Sequence, residues 1–469
     1  MSFKSIPVLD LALADDPATR PAFLTDLREA LMEVGFLYIK NVGISDELFQ
    51  KVVSLGRAFF DIPLEEKLKI EMKNAPSFLG YSRLSAEITA GKIDHREQID
   101  LSTEHPVPGP DAPRHHNLLA PNQWPSDSVL PGFRATYAEY MRLMSGVSVR
   151  FTSLVAEAVG LPPGAFDKYV GAPDQQHKLK IVRYPDAGEL GLGAGNNDGG
   201  DDESARQGVG PHKDSMLTSY LLQASGHKGL QAQNTRGEWI DCPPLEGTLV
   251  VAIGQGMEAL TRGVCTSTTH RVLSPRAGEG PRFSVPFFQG VAADTTFEDL
   301  EGVGVGAVPK EVRRLREAVL AANGGRRLDD VEFTFRGGGV ARTLGEATLR
   351  NRVKSHPDVG ERWYPDILAQ IREEQARASQ PSPPSPPVPV DGVQSTHRGR
   401  QIKNRWPGFV HVVFDYLFPT PDCQNQTMVY APRSMLATPS YSKAFRPFTI
   451  ALTIAITMAG CHYRELPRR

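Results

Sequence analysis

Near residue 179 the hydrophobic period of the chain falls to two, and this change constrains the fold more than any other feature. Apolar runs at Leu179–Tyr184, Met216–Leu222, Thr248–Ile253 and Phe283–Phe288 are punctuated by Gly and Pro. Short runs between turn-forming residues read as strands of an antiparallel β core. Gly 43 and Pro 38 together make about one residue in six of 469. That share suits a loop-rich β fold and disfavours a helical bundle.

The flanks have helical periods. Phe23, Leu27 and Leu31 recur every four residues and predict a helix from about Pro21 to Gly35, followed by a strand at Phe36–Lys40. A strand is also expected at Ile6–Asp10. Ser45 is a suitable N-cap for a helix whose apolar face is Leu48, Val52, Leu55 and Phe59. A longer helical pattern runs from Phe133 to Val159 and stops at Gly160-Leu161-Pro162-Pro163. After residue 310, Val312, Leu315 and Val319 mark a further helix that ends at Asn323-Gly324-Gly325.

Charge and cysteine usage bound the class. The 52 basic and 54 acidic side chains give a net charge of −2, which excludes a globally basic nucleic-acid binder. Cys242, Cys265, Cys423 and Cys461 form no Cys-x-x-Cys pair, so neither a disulfide framework nor a cysteine zinc site is expected. Pro7 and Asp10 break the N-terminal apolar run, so no signal peptide is expected. The most apolar later stretch, Phe448–Ala459, is shorter than the roughly 18–20 residues of a membrane helix. The expectation is a cytoplasmic monomer with no membrane span and no nucleic-acid partner. Six prolines from Pro381 to Pro389 open a basic tail in which residues 376–469 carry 11 Lys/Arg and 4 Asp/Glu, expected to be disordered.

The chemistry concentrates in residues 208–290. In strand-like sequence, Gly210-Pro211-His212-Lys213-Asp214 sends His212 and Asp214 to one face and Lys213 to the other. A second imidazole, His270, stands in Thr268-Thr269-His270-Arg271-Val272. Two imidazoles and one carboxylate on a barrel interior form the facial triad that holds non-haem Fe(II) and leaves open coordination positions. Arg282-Phe283-Ser284 repeats the alternation, placing a guanidinium and a hydroxyl on one face as a carboxylate clamp. A lone His-x-Asp is usually structural; the ordered set with an Arg-x-Ser downstream is specific.

These residues strongly resemble the isopenicillin-N-synthase-like branch of the Fe(II)/2-oxoglutarate-dependent dioxygenases, over about residues 5–370. Ile6-Pro7-Val8-Leu9-Asp10, Gly35–Ile44, and Gly80-Tyr81 followed by Arg96-Glu97-Gln98 resemble the family's N-terminal cap. The resemblance implies an α+β fold, mainly β: a double-stranded β-helix (jelly-roll) barrel with an N-terminal α/β cap and flanking helices. It divides the chain into a cap region at 1–120, a connecting long helix at 121–175, the core at 176–300, a C-terminal helical cap at 301–375 and the tail at 376–469. It makes His212, Asp214 and His270 metal ligands and catalytic residues, gives Arg282 and Ser284 the distal carboxylate of 2-oxoglutarate, and puts Tyr184 in reach of the same cosubstrate. The implied cofactors are Fe(II), 2-oxoglutarate and O2, with ascorbate as a supporting reductant. The implied reaction couples decarboxylation of 2-oxoglutarate to succinate with hydroxylation, desaturation or ring closure of a small organic substrate, as in secondary metabolism. Val42, Lys213 and Gln255-Gly256 depart from the commonest family pattern at positions that are not ligands.

Two further readings stay open on the sequence: an Fe(II) oxidase of the same fold that uses no 2-oxoglutarate, and a catalytically silent binding protein on the same barrel. The loop from Asp186 to Gly208 is rich in Gly and acids but follows neither phosphate-loop nor EF-hand spacing, and is expected to be a mobile insertion. His115-His116 falls in a Pro-rich loop and is expected to be solvated.

Overall fold

A computed structural model describes residues 2–89, 91–170, 175–192, 203–300, 308–322 and 341–378. All lie in the first of two compact units, Met1–Pro384. The tail from residue 379 onward and the middle of the acidic Gly-rich loop lie outside the described residues.

The strands are β1 (Val8–Asp10), β2 (Phe36–Lys40), β3 (Gly80–Ser82), β4 (Ile88–Thr89), β5 (Lys92–Ile93), β6 (Glu97–Ser102) and β7 (Lys178–Tyr184). They continue with β8 (Gln207–His212), β9 (Thr218–Gln223), β10 (Leu230–Gln233), β11 (Trp239–Asp241), β12 (Thr248–Ile253), β13 (His270–Leu273) and β14 (Arg282–Phe288). Eight pair in the order β1-β2-β12-β9-β14-β7-β6-β3, and four in the order β11-β10-β13-β8. β4 and β5 form a small hairpin. The fold is a jelly roll of two principal sheets that remain separate hydrogen-bonded units rather than closing into one barrel. The N-terminal region contributes β1, β2, β3 and β6 to the large sheet, with β2 antiparallel to β12 and β6 antiparallel to β7.

Alternation explains why the large sheet's strands read as continuous apolar runs: both of its faces are buried. Leu37, Ile39, Leu179, Ile181, Leu249 and Val251 join a core beneath the helices. Their neighbours Phe36, Tyr38, Val182, Tyr184, Val250 and Ala252 join a second cluster with Val209, Leu230 and Val272 of the small sheet. The long helix Phe133–Ala158 covers the outer face, and its Tyr137 hydroxyl donates to Val52 O at 2.7 Å. Ser45 caps the helix Asp46–Asp61 by accepting from Leu48 N–H at 3.3 Å, and Val52 and Phe59 are buried as the periodicity predicts.

Two local features differ from expectation. The first helix, Arg20–Glu29, passes into a π turn at Ala30–Val34 before Gly35. In the helix Lys310–Ala322, Leu315 is half exposed and Arg316 is buried in its place. Arg316 donates to the carbonyls of Gly263 and Met32, so polar satisfaction overrides the apolar stripe. Cys242 and Cys265 are buried free thiols. Among the described residues no helix is long and apolar enough to cross a membrane.

Candidate metal and cosubstrate site

His212 closes β8 and His270 opens β13, and the two are register partners across that antiparallel pair. Their rings lie 4.2 Å apart between centroids. Asp214 follows β8 by two residues, with its Oδ1 3.6 Å from His212 Nε2 and 3.8 Å from His270 Nε2. One ligand atom from each of the three residues lies within 4.8 Å of the others, the spacing a single ion requires.

The surroundings aim these atoms. His212 Nδ1 donates to Gly210 O at 2.9 Å and His270 Nδ1 to Thr268 O at 3.1 Å. A carbonyl can only accept, so each Nδ1 carries the proton and each Nε2 presents a lone pair to the centre. Burial, followed by the facing His270, pushes His212 down to about 4, which keeps its imidazole neutral. Ser219 donates to Asp214 Oδ2 and holds the carboxylate rotamer. Phe36 packs against His270 with ring centroids 5.3 Å apart. Two imidazoles with Nε2 directed inward and a carboxylate fit Fe(II).

The third sequence-predicted group lies deeper between the sheets. Arg282 is 1% exposed and donates Nη2–H to Gln223 Oε1 at 3.2 Å, but its Nε and Nη1 have no partner. Ser284 Oγ is also buried without a partner. Tyr184, opposite Arg282 in the β7–β14 register, lies face-on to the guanidinium with 5.1 Å from Cζ to the ring centroid. Burial lowers the Arg282 pKa from its ordinary value. Three orphaned polar groups on one strand face form a site that only a buried oxygen acceptor would satisfy. The keto acid's carboxylate has that chemistry.

A cavity of about 1330 Å³ takes in His212, Asp214, His270 and Tyr184, with an apolar wall of Val209, Leu221, Leu230 and Val272. Its size exceeds the roughly 300–1,000 Å³ of a typical single-ligand pocket, leaving room for a second molecule beside the cosubstrate. It is also lined by charges whose convergence the sequence does not show: Glu87, Arg96, Lys178, Lys180 and Arg352. The available signal was Lys178-Leu179-Lys180, two cations at period two at the start of an apolar strand run. Helix position alone could not have brought Arg352 to Asp100, where Nη1 lies 3.3 Å from Oδ1.

His115 and His116 are not simply solvated. Both Nε2 atoms converge on Asp294, at 2.7 and 3.0 Å, and His115 is buried. They tie a loop before the long helix to the segment after β14.

Residues 6–127 match the family model described as non-haem dioxygenase in morphine synthesis N-terminal, and residues 178–291 match that of the 2OG-Fe(II) oxygenase superfamily. The chain is 62% identical over 379 residues to a 2-oxoglutarate-dependent dioxygenase, frbJ, of Dothideomycetidae sp., covering 80% of this chain and 97% of that protein. It is 33% identical over 309 residues to a homoarginine-6-hydroxylase of Glycine max, covering 64% of this chain and 89% of that protein. The crystal structure of a full-length Neurospora crassa protein in complex with alpha-KG superimposes with a TM-score of 0.52 at 22% identity, covering 66% of this chain and 91% of that one, a likeness of fold.

Proposed function

Because this chain belongs to the Fe(II)- and 2-oxoglutarate-dependent oxygenases, we propose that His212, Asp214 and His270 hold its iron and that Arg282 and Ser284 hold the distal carboxylate of 2-oxoglutarate. Coupled to decarboxylation of the keto acid to succinate and CO2, the outcome we assign is hydroxylation of a small organic molecule. One observation carries the reading: three orphaned buried donors, Arg282 Nε, Arg282 Nη1 and Ser284 Oγ, lie on the inner face of the jelly roll that carries the triad.

Iron held there supplies O2 activation and the oxidation of a C–H bond. The chain's own residues supply geometry. Backbone carbonyls fix both imidazole tautomers, Ser219 fixes Asp214, and the aromatic face of Tyr184 supports the guanidinium in a plane suited to a bidentate pair. The apolar wall excludes water from the reacting region. Buried free thiols at Cys242 and Cys265 support a reducing, cytoplasmic setting.

The test follows labelled 2-oxoglutarate to succinate under O2 with Fe(II) and ascorbate, beside iron stoichiometry. Wild type is expected to hold one iron and form succinate. His212→Ala, Asp214→Ala and His270→Ala are expected to lose iron while keeping wild-type circular dichroism. Near-wild-type iron in all three variants would overturn the ligand assignment. A wild type that holds iron yet neither binds 2-oxoglutarate nor makes succinate would be the oxidase of the same fold.

A further inference from the structure

Lys178, Lys180, Val182 and Tyr184 share the cavity face of β7 at period two. Antiparallel register sets Tyr184 against Arg282, Val182 against Ser284 and Lys178 against Phe288. One strand pair therefore carries the carboxylate clamp at one end and Lys178 at the other. Phe288 is registered in turn with Ser219, whose hydroxyl donates to Asp214. The Lys178 backbone thus lies two strand spacings, roughly 10 Å, from the backbone that supports the metal ligand.

Lys178 is 4% exposed, and its ammonium has no hydrogen bond or ion pair among the described residues. The cations around it are already matched. Lys180 lies 3.6 Å from Glu87 and 3.4 Å from Asp100, Arg352 lies 3.3 Å from Asp100, and Arg96 lies 2.8 Å from Glu87 and 3.1 Å from Asp94. Gln98 donates to Glu87 at 3.0 Å and to Asp100 at 2.7 Å, which further occupies both carboxylates. Seven Lys and Arg line the cavity, against two carboxylates, Glu87 and Asp214, of which Asp214 faces the metal position. A buried ammonium without an ion-pair partner is costly; Asp100 acts on it only through its field and is already paired with Lys180 and Arg352, so the missing charge is single. Burial, then the neighbouring Arg352, pushes the Lys178 pKa well below its ordinary value, a shift that an arriving anion reverses.

We infer that the prime substrate carries a carboxylate, received by Lys178 in a charge-assisted hydrogen bond with Arg352 alongside. The inference rests on the oxygenase reading of the site. A monoanionic carboxylate matches one unpaired cation, whereas a phosphate dianion would need a second.

The experiment measures succinate formation above the substrate-free rate for matched pairs of acid and primary amide: L-homoarginine and its amide, other L-amino acids and their amides, and aromatic acetic acids and their amides. Stimulation is expected from acids and not from their amides. In Lys178→Met the half-saturating concentration of a stimulating acid should rise roughly 10- to 100-fold, with the maximal rate falling less. Lys178→Arg should recover part of the affinity. Without any acid, Lys178→Met should melt at or above the wild-type temperature, because it removes an unpaired buried ammonium. The inference is overturned if amides act as well as acids, if no acid stimulates, if phosphate esters act better than acids, if Lys178→Met keeps wild-type half-saturation, or if it melts well below wild type. Wild-type iron content and substrate-free succinate formation report separately on the oxygenase reading, so failure there is distinguishable from failure of the acid arm alone.

Discussion

Arg282, as the proposed carboxylate clamp, would be costly to the free protein and necessary to the loaded one. Its Nε and Nη1 are buried without acceptors, a penalty that an incoming carboxylate would relieve. Arg282→Gln should weaken 2-oxoglutarate binding by roughly 2–5 kcal/mol while leaving iron stoichiometry near wild type, as equilibrium titration of the iron-loaded protein would read. Arg282→Lys should be intermediate at best, since an ammonium cannot copy the planar fork. Ser284→Ala should cost about 1 kcal/mol, because a single neutral hydrogen bond is lost. Equal losses in Arg282→Gln and Ser284→Ala would mean that the guanidinium does not carry the carboxylate. Lys178 follows the same logic at the other end of β7, as an unpaired buried cation facing the cavity.

At the scale of elements, the proposed metal ligand His270 depends on the N-terminal π turn. Thr266 N–H donates to Leu31 O at 2.9 Å, Thr266 Oγ1 to Met32 O at 3.0 Å, and Thr268 Oγ1 to Val34 O, so the strand entering His270 is stapled to residues 31–34. Gly35 makes the close approach possible. Its φ is +63°, and a Cβ there would sit 1.9 Å from Thr266 O. Gly35→Ala should therefore destabilise the fold by more than about 1 kcal/mol, since it adds a backbone clash to a left-handed conformation. The denaturation midpoint should fall, and iron affinity should fall with it because Phe36 and Thr268 both position His270. A variant with unchanged midpoint and unchanged iron affinity would show that the staple does not position the site.

At the scale of the whole molecule, the two faces of the large sheet set the response to acid as well as the position of the cavity. His177 is buried where β7 begins, with Nε2 2.9 Å from Ser145 Oγ and Nδ1 accepting from Gly290 N–H at 3.3 Å. Burial holds its pKa down to about 4, against an unfolded value of about 6.5. Between those values the unfolded chain takes up a proton that the folded chain refuses, so stability falls as pH falls from about 6.5 to about 4. Thermal melts across that window should drop more steeply for wild type than for His177→Asn; equal slopes would remove His177 from the account. What the sequence determined by itself is local and periodic. The strand runs and the Arg-x-Ser were legible because alternation assigns a face without reference to any partner, and the Ser45 cap because its hydroxyl acts within one turn. The His-x-Asp was legible as a motif, but Asp214 lies past the end of β8 and Lys213 lines the same cavity as its neighbours, so alternation does not place it. The tertiary structure decided whatever depends on who sits opposite. It buried Arg316 in place of Leu315, drew His115 and His116 onto Asp294, and brought Glu87, Asp100, Lys180 and Arg352 into one charge cluster that leaves Lys178 unmatched. Those pairings join residues far apart in the chain, and one chain's order of residues carries no periodic signal for contacts of that range.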